Sequence, residues 1–455
     1  MLGKVLVANR GEVAVRVLRA LRELEIPSVA VYSEADRDAV HVRLADEAVA
    51  IGPAPAAESY LDVDAVLAAC RQTGCDALHP GYGFLSENAA FARRCADAGV
   101  IFVGPAPEAI EAMGEKTSAR RLASELGVPI VPGSRGAVES IADALEAAGE
   151  VGYPVAVKAS GGGGGIGFRV ATDEAELAAA LDAVRADGDR FFGNGTVYLE
   201  RYFADPRHVE IQVLGDTHGN LIQLGQRDCS VQRRHQKLVE ESPAPTVDAA
   251  LADRLGGYAL ELARGIGYTS AGTIEGLLVG DEFYFLEMNT RLQVEHPVTE
   301  LVTGVDLVQE QLRVAAGLPL SLGQEDVAVN GVAIECRINA EAAHRHFMPS
   351  PGTIDRYREP TGAGVRVDSG VEEGTVVTPF YDSLLAKVVT WGATREEATG
   401  LMLDALAGFE LGGINSLIPF HRRLLETEQW RAAETCRDLL GDRAWLKETA
   451  PPSGA

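Results

Sequence analysis

Short apolar runs alternate with segments of helical periodicity along the first quarter of the chain. Residues 4–8 and 28–33 are apolar runs with the length of buried strands. Residues 13–24 and 87–98 instead repeat apolar side chains at the spacing of a helix that faces a core. Because strands that alternate with helices build parallel sheets, we predict a doubly wound α/β domain over residues 1–113.

Two loops at the ends of predicted strands are candidates for ligand binding. Asn9–Gly11 follows the first strand, and His79–Gly83 follows a short apolar run at 77–79. Ligands of doubly wound sheets bind at the carboxyl ends of the strands. Glycine, proline and asparagine are also typical of simple tight turns, so both interpretations of these loops stay open.

The pattern changes after residue 113 and predicts further structural units. A break at Val131–Gly133 precedes a compact unit, and another break falls at Pro349–Gly352. We expect a mixed domain at 114–320 that includes the compact unit at about 134–203, an α+β domain at 321–446 and a disordered tail at 447–455.

A run of five glycines, Gly161–Gly165, follows the predicted strand 154–158. Without side chains, the backbone N–H groups of such a run can converge on phosphate oxygens. Lys158 at the end of the strand suits an ATP phosphate. The GxxxxGK[ST] pattern of a Walker A loop is absent. A flexible linker is the alternative explanation for glycines alone, and the flanking strand and lysine argue against it.

Two acidic residues face each other in a predicted hairpin. Residues 273–279 and 283–289 form strands around a turn at Gly280–Asp281, and this register sets Glu275 nearly opposite Glu287. Asn289 shares the face of Glu287. Carboxylates on an apolar hairpin need a partner, and Mg²⁺ bound to nucleotide phosphates would supply one. Exposure on a half-solvated strand is the alternative.

Charged residues near this hairpin indicate an anion site. Arg291 can hold a carboxylate-like anion, and Glu295 nearby could accept a proton from it. A second basic group lies upstream, interleaved with polar residues: Arg227, Arg233, Arg234, His235 and Lys237. An anion site and a solvated charged face both fit that cluster. His208, Glu210 and Gln212 alternate with apolar neighbours, which predicts a strand with one polar and one core face.

Composition excludes several classes of protein. The formal net charge is −25, so no basic face for nucleic acid is expected. The N-terminus lacks the pattern of a signal peptide, and no stretch is apolar for long enough to span a membrane. The six cysteines have no CxxC or zinc-ligand spacing, which favours reduced thiols in a cytoplasmic protein.

Taken together, these motifs resemble the biotin carboxylase family of the ATP-grasp superfamily. The resemblance covers nearly the whole chain, and its most specific parts are RDCSVQRRHQK and EMNTRLQVEHPVTE. The matching segments are Ala8–Glu12, His79–Asn88, Lys158–Gly165, Pro206–Gln212, Arg227–Lys237, Glu287–Glu300 and Glu335–Glu341. It implies an ATP-grasp fold with the N-terminal doubly wound domain, a mobile glycine-rich lid and a C-terminal α+β domain.

The resemblance also implies a role for each matching residue. ATP would contact Lys116, Lys158, Gly164, Gly165, His208, Gln232 and His235, with the adenine hinge formed by Glu200, Arg201, Tyr202 and Phe203. Mg²⁺ or Mn²⁺ would be held by Glu275, Glu287 and Asn289. Bicarbonate would be held by Lys237, Arg291, Gln293 and Val294. Glu295 would deprotonate bicarbonate, and Arg337 would stabilise the enolate of the ureido ring of biotin.

The implied reaction is the ATP-dependent carboxylation of biotin through carboxyphosphate, the first half-reaction of an acetyl-CoA or acyl-CoA carboxylase. No Ala-Met-Lys-Met stretch occurs, so biotin is expected on a separate carrier protein, with a carboxyltransferase completing the pathway. The unit at 134–203 is expected to close as a lid that excludes water. Arg19, Glu23 and Arg366 match the dimer region of the family, which implies a homodimer.

Three positions depart from the family pattern. Ile166 and Phe168 replace a basic residue and a methionine after the glycines, and Ala363 replaces an aromatic residue of the dimer region. The first departure bears on lid closure and ATP affinity rather than on the class of reaction. Two alternatives remain: another ATP-grasp ligase that forms a different acyl phosphate, and a non-catalytic ATP-binding subunit.

Overall fold

The computed structural model describes residues 2–134, 136–163, 166–234 and 236–450. In chain order the N-terminal elements are β1 (Val5–Val7), α1 (Gly11–Glu23), β2 (Ser28–Ser33), α2 (Val40–Leu44), β3 (Glu47–Gly52), α3 (Val63–Thr73), β4 (Ala77–His79), α4 (Ala89–Asp97), β5 (Ile101–Phe102) and α5 (Pro107–Gly114).

These five strands form one parallel sheet in the order β3-β2-β1-β4-β5. The predicted doubly wound sheet is therefore confirmed. The strand order reverses between β1 and β4, where such sheets bind ligands. Asn9, just after β1, donates from Nδ2 to the carbonyls of Pro80 at 2.6 Å and Tyr82 at 2.7 Å. Both candidate loops thus meet at this edge of the sheet.

Helix α6 (Lys116–Glu125) comes next and packs in the hydrophobic core of the central elements. A smaller unit follows, built from α7 (Ile141–Val151), β6 (Val155–Gly163), β7 (Ile166–Ala171), α8 (Glu174–Phe192) and β8 (Val197–Arg201). The strands pair antiparallel in the order β7-β6-β8. Helices α7 and α8 cover this sheet and share a hydrophobic core with it that includes Val157, Leu177 and Leu199. The described residues between 138 and 199 thus pack around a core of their own.

The central elements are β9 (Arg207–Gly215), β10 (Leu221–Arg233), β11 (Gln236–Ser242), α9 (Ala249–Gly265), β12 (Ser270–Val279), β13 (Glu282–Asn289), α10 (His296–Thr303) and α11 (Leu307–Ala315). Strand β9 shows the predicted two faces: Val209, Ile211 and Val213 lie in the hydrophobic core under α9. Its other face carries buried polar side chains.

The last elements are β14 (Val332–Asn339), β15 (Glu341–Ala342), β16 (Met348–Pro349), β17 (Gly352–Thr353), β18 (Arg356–Arg358), β19 (Val365–Ser369), β20 (Val376–Val377), β21 (Leu384–Gly392), α12 (Arg395–Gly408), β22 (Glu410–Gly412), α13 (Ile418–Leu425), α14 (Glu428–Arg431), α15 (Arg437–Gly441) and α16 (Arg443–Lys447).

One antiparallel sheet joins the central and last groups of elements, in the order β13-β12-β9-β10-β11-β14-β21-β19. Helix α10 packs on it beside β14 and β21, and α12 packs against β14 and β21 as well. All six cysteines are buried with free thiols. Among the described residues, no helix has the length and apolar character that crossing a lipid bilayer requires.

Candidate active site

The hairpin of β12 and β13 sets two acidic residues opposite each other. Glu275 and Glu287 are cross-strand partners, so the predicted proximity is confirmed, but a register shift between Glu275 and Gly276 departs from the simple register predicted from the turn. Glu275 is buried and Glu287 half-buried. Asn289 donates from Nδ2 to Glu275 Oε1 at 2.8 Å. His208 on β9 approaches the same carboxylate, with Nε2 2.9 Å from Oε2.

Lys237 on β11 lies at the centre of three buried carboxylates. Its Nζ is 2.5 Å from Glu210 Oε2, 2.9 Å from Glu275 Oε1 and 2.5 Å from Glu295 Oε1. Burial alone would lower the pKa of Lys237. The three carboxylates outweigh burial and hold that pKa well above its usual value, so the ammonium stays charged.

Glu295, just before α10, is held by two cations. Besides Lys237, Arg337 on β14 donates from Nη2 to Glu295 Oε2 at 2.8 Å. Burial would raise the pKa of this fully buried carboxyl, but Lys237 and Arg337 together hold the pKa well below its usual range. Glu295 is therefore ionised and acts as a hydrogen-bond acceptor at neutral pH.

Arg291 and Gln293 link this cluster to the hairpin. Arg291 donates from Nη2 to Asn289 Oδ1 at 2.7 Å and from Nη1 to Gln293 Oε1 at 2.8 Å. Gln293 donates from Nε2 to Glu275 Oε1 at 2.7 Å. Arg291 also bonds Glu87 of the N-terminal region, with Nε 2.8 Å from Oε2. The loop after β13 thus places the Arg291 guanidinium beside the acid pair, as the spacing in the sequence predicted.

Val294 is fixed through its backbone rather than its side chain. Lys387 on β21, which is fully buried, donates from Nζ to the Val294 carbonyl at 2.7 Å. The same ammonium lies 3.3 Å from Glu12 Oε2. No local motif in the sequence marks Lys387 for this position, because it lies 93 residues beyond the loop that it holds.

The side predicted to bind nucleotide is built on β6, β8 and β9. Lys158 forms an ion pair with Glu200, whose other oxygen lies 2.6 Å from Arg120 Nη1. The Glu200 carboxylate is therefore paired with two cations. The rings of Phe203 and Tyr284 stack at 5.1 Å between centroids.

The structure describes several other residues that were predicted to bind the nucleotide. Tyr202 lies near Phe168, with ring centroids 6.4 Å apart, and Arg201 is exposed with its guanidinium 5.9 Å from the Phe203 ring centroid. Gln232 donates from Nε2 to the Cys229 carbonyl at 2.9 Å. Outside the described part of the chain lie the side chains of Lys116 and Ile166, together with Gly164, Gly165 and His235.

The described members of the basic cluster at 227–237 do not gather at one anion site. Arg227 is fully buried and bonds Glu210 at 2.5 Å, as well as Gln212, Thr299 and Thr273. Arg233 points elsewhere, with its guanidinium 4.6 Å from the Phe347 ring centroid. Among the members of the cluster that the structure describes, Lys237 reaches Glu275 of the acid pair.

Sequence reasoning gave no role to Glu210 and Glu240 in this cluster. Glu210 joins Lys237 to Arg227, and Glu240 lies 2.6 Å from Arg337 through Oε1 and Nε. The alternation on β9 was a signal for Glu210. For Glu240, the signal is an acid directly after the apolar pair Leu238-Val239, a place where an unpaired charge is costly.

The residues present fit a divalent cation of the magnesium type. Glu275 and Asn289 offer oxygen ligands on one hairpin, with Glu287 opposite. Ligand atoms of His208, Glu210 and Glu275 also lie within 4.8 Å of one another. Carboxylate and amide oxygens beside a nucleotide site are the donors that Mg²⁺ prefers.

An antiparallel sheet that carries an acidic hairpin beside a lysine-bearing, glycine-rich unit defines an ATP-grasp enzyme. Three family models match the chain: "Biotin carboxylase, N-terminal domain" at 1–110, "Carbamoyl-phosphate synthase L chain, ATP binding domain" at 115–322 and "Biotin carboxylase C-terminal domain" at 335–442.

Whole-chain relatives agree with these models. The chain is 54% identical to biotin carboxylase 1 of Bacillus subtilis, over 95% of this chain and 97% of that protein. It is 53% identical to the biotin carboxylase of Haemophilus influenzae, over 98% and 100%. The biotin carboxylase domain dimer of Hydrogenobacter thermophilus 2-oxoglutarate carboxylase, solved with MgADP, ADP and bicarbonate, superposes with a TM-score of 0.90 at 44% identity, covering 97% of this chain and 99% of that one.

The chain belongs to the biotin carboxylase family. It is an ATP-grasp ligase that carboxylates biotin with ATP, Mg²⁺ and bicarbonate.

Proposed function

We propose that the cluster around Lys237, Glu295 and Arg337 activates bicarbonate as carboxyphosphate and passes the carboxyl group to biotin on a separate carrier protein. A carboxyltransferase subunit would then complete an acetyl-CoA or related acyl-CoA carboxylase. The observation that carries this proposal is that the Glu295 carboxylate bonds both Lys237 and Arg337, a few ångströms from the Glu275 carboxylate.

Bicarbonate is held by Lys237, Arg291, Gln293 and Val294 in this proposal, and Glu295 removes its proton. Without bicarbonate, Lys237 and Arg337 lower the pKa of Glu295, which makes this carboxylate a weak base. A bicarbonate anion bound to the Lys237 ammonium weakens the attraction between Lys237 and Glu295. The pKa of Glu295 then rises toward that of an effective base at the moment when bicarbonate is in place.

Nucleotide and metal lie next to this anion site in the proposal. Glu275, Glu287 and Asn289 hold Mg²⁺ or Mn²⁺, which neutralises phosphate charge. ATP contacts Lys116, Lys158, Gly164, Gly165, His208, Gln232 and His235, and its adenine binds at the hinge of Glu200, Arg201, Tyr202 and Phe203. Support comes from the ion pair at Lys158 and from the approach of His208 to Glu275.

Arg337 serves the second step. Carboxyphosphate breaks down to CO2 and phosphate, and the phosphate takes the N1 proton of biotin. The guanidinium stabilises the resulting negative charge on the ureido oxygen while N1 forms its bond to CO2. Arg337 is 12% exposed, so one edge of the side chain is open to a substrate while Glu240 and Glu295 hold the rest.

The unit at 134–203 acts as a lid over the nucleotide in this proposal. A separate hydrophobic core supports movement as one body. The division into segments 1–113, 114–320 and 321–446 is likewise proposed, and the ranges matched by the three family models lie close to it.

A homodimer is the proposed assembly. Arg19 on α1 is half exposed and lies 4.0 Å from Asp368. Arg366 pairs with Asp368 at 2.7 Å and Glu300 at 2.8 Å, and Glu23 accepts a hydrogen bond from Gln309. The dimeric relative with bound MgADP supports this assignment.

The proposal is tested by measuring phosphate release from MgATP with and without bicarbonate, and with and without free biotin. We expect release to require bicarbonate and to rise when biotin is added. ATP turnover that ignores biotin would favour another ATP-grasp ligase. Binding of ATP without any turnover, even with a carrier protein, would favour a non-catalytic subunit.

A further inference from the structure

Two fully buried glutamates stand side by side next to Arg337. Glu240 on β11 and Glu335 on β14 are cross-strand partners, and each is 0% exposed. The β carbons of directly opposite residues in an antiparallel pair are about 4.5–5.5 Å apart. The two carboxyl groups are therefore within reach of each other in a region without access to water.

Only one of the four carboxyl oxygens of this pair has a hydrogen-bond partner among the described residues. Glu240 Oε1 accepts from Arg337 Nε at 2.6 Å. Within the described part of the chain, Glu240 Oε2 and both oxygens of Glu335 find no hydrogen-bond partner. An ionised carboxylate in this position would be very costly, and two adjacent ones more so. A proton on Glu335 removes that cost and provides a donor for the open oxygen of Glu240.

Burial raises the pKa of Glu335 well above its usual value, since Lys387 and Arg337 only partly offset it and Glu240 and Glu295 add to it. Burial also raises the pKa of Glu240, to about 7, although Arg337 and Lys237 offset part of the effect, so Glu335 with its larger rise is the member of the pair that holds the proton. Lys387 is occupied by the Val294 carbonyl and Glu12. Helix α10, packed over this face, presents His296 and Glu300, and Glu300 is engaged by Arg16 and Arg366.

Arg337 therefore has two anionic partners with different tasks. Glu295 lies in the anion site, bonded to Lys237, and its contacts change when bicarbonate arrives. Glu240 is buried behind Arg337 and is fixed by the strand pair β11–β14. An arginine held by Glu295 alone would shift with it, whereas an arginine also anchored by Glu240 keeps its orientation.

We propose that Glu240 is a positioning residue for Arg337, and that Glu335 acts as a neutral carboxylic acid that donates its proton to Glu240 and fixes that carboxylate in turn. The pair orients the guanidinium for the ureido oxygen of biotin, so it serves the carboxylation step and not bicarbonate activation. The inference rests on the role proposed above for Arg337.

The test measures bicarbonate-dependent phosphate release and carboxybiotin formation separately in the full-length enzyme. For Glu240→Gln we expect carboxybiotin formation to fall about tenfold or more, as when a functional group loses the partner that orients it. Phosphate release should stay within about twofold, because Glu295 and Lys237 are intact. A merely structural role would lower both rates in proportion to the loss of folded protein.

Arg337→Ala in the same assays distinguishes the proposed role of Arg337 from the proposed role of Glu240. If Arg337→Ala uncouples the rates and Glu240→Gln does not, the inference about Glu240 is wrong and the role of Arg337 stands. If folded Arg337→Ala lowers both rates equally, the proposed role of Arg337 fails, and the inference fails with it.

Glu335 is tested by conservative rescue. Gln keeps a neutral donor and should retain much more carboxylation than Leu, which offers none. The infrared difference between wild type and Glu335→Gln should contain the band of a protonated carboxylic acid at neutral pH. Equal loss in both variants, or the absence of that band, would overturn the role given to Glu335.

Discussion

At Glu295 two opposing effects decide the charge of a fully buried carboxyl group. Burial favours the protonated form, while Lys237 at 2.5 Å and Arg337 at 2.8 Å favour the ionised form and prevail. The carboxylate is thus charged in the resting enzyme and gains basicity when an anion competes for its partners.

Glu295→Gln removes the base while leaving the size of the side chain unchanged. We expect bicarbonate-dependent phosphate release to fall by roughly a hundredfold or more, since general-base catalysis contributes at least that much, whereas ATP binding is kept. Kinetics together with nucleotide titration measure both. Glu310→Gln, a buried glutamate outside the cluster, is the matched control and should keep near-normal turnover. Near-normal carboxylation by Glu295→Gln would exclude Glu295 as the base.

Glu12 has the opposite balance of forces. Burial raises its pKa from 4.5 to about 7, with Lys387 only partly offsetting it. Between these values the unfolded chain has released the proton while the folded chain still binds it. The contribution of Glu12 to stability therefore falls as pH rises through this window and levels off above it.

Glu12→Gln cannot titrate and should gain stability relative to wild type from pH 4.5 to about 7. The full linkage corresponds to about 3 kcal/mol. Denaturant unfolding of both proteins across this range measures the difference. A difference that is constant with pH would show that Glu12 is ionised throughout.

At the scale of elements, the β12–β13 hairpin was the most predictable part of the site. Its turn fixes the local register, so the sequence predicted that Glu275 lies nearly opposite Glu287. A register shift between Glu275 and Gly276, which the sequence did not predict, makes the two residues direct partners. The buried position of Arg227 could not be predicted from the sequence, because its partners on β9, β12 and α10 are distant in sequence. A basic cluster in a sequence shows only that several cationic residues are close along the chain. Tertiary packing decides which of them are buried and which are exposed.

Gly276 lets the hairpin strands approach closely beside Glu275. A Cβ at this position would lie 2.7 Å from the Tyr284 carbonyl oxygen and against the Phe283 ring. We expect Gly276→Ala to cost about 1–3 kcal/mol of stability by overpacking and to weaken Mg²⁺ binding by displacing Glu275. Thermal unfolding and metal titration measure these effects.

Gly257→Ala on α9 is the control for that substitution. Its Cβ would meet open space in a helix, where alanine is favoured by up to about 1 kcal/mol. It should therefore be neutral or stabilising, with Mg²⁺ binding unchanged. Normal stability and metal affinity in Gly276→Ala would contradict the account of the hairpin.

At the scale of the whole molecule, one eight-stranded sheet carries the site across segments that the sequence pattern separated. Lys237 lies on β11, Arg337 on β14 and Lys387 on β21, which are successive neighbours in that sheet. Sequence periodicity predicted the strands but not this order, because residues 243–331 intervene between β11 and β14. The N-terminal sheet was easier to predict, since its strands and helices alternate along the chain.

The proposed dimer predicts an effect of charge reversal on α1. Arg19 is half exposed next to Asp368, so Arg19→Glu should set like charges together there and weaken self-association at least about tenfold. Sedimentation at several protein concentrations measures it. Arg121→Glu, an equal change of charge on α6, is the control and should associate normally. Unchanged association of Arg19→Glu would place the interface elsewhere.

Transfer of labelled carbon from bicarbonate to biotin is the most direct test of the proposed reaction. With MgATP present, we expect label in biotin in proportion to the phosphate released in the biotin-dependent reaction, and a loss of both in Glu295→Gln. ATP cleavage that proceeds with bicarbonate while biotin stays unlabelled, under conditions where the protein is folded and binds nucleotide, would contradict it.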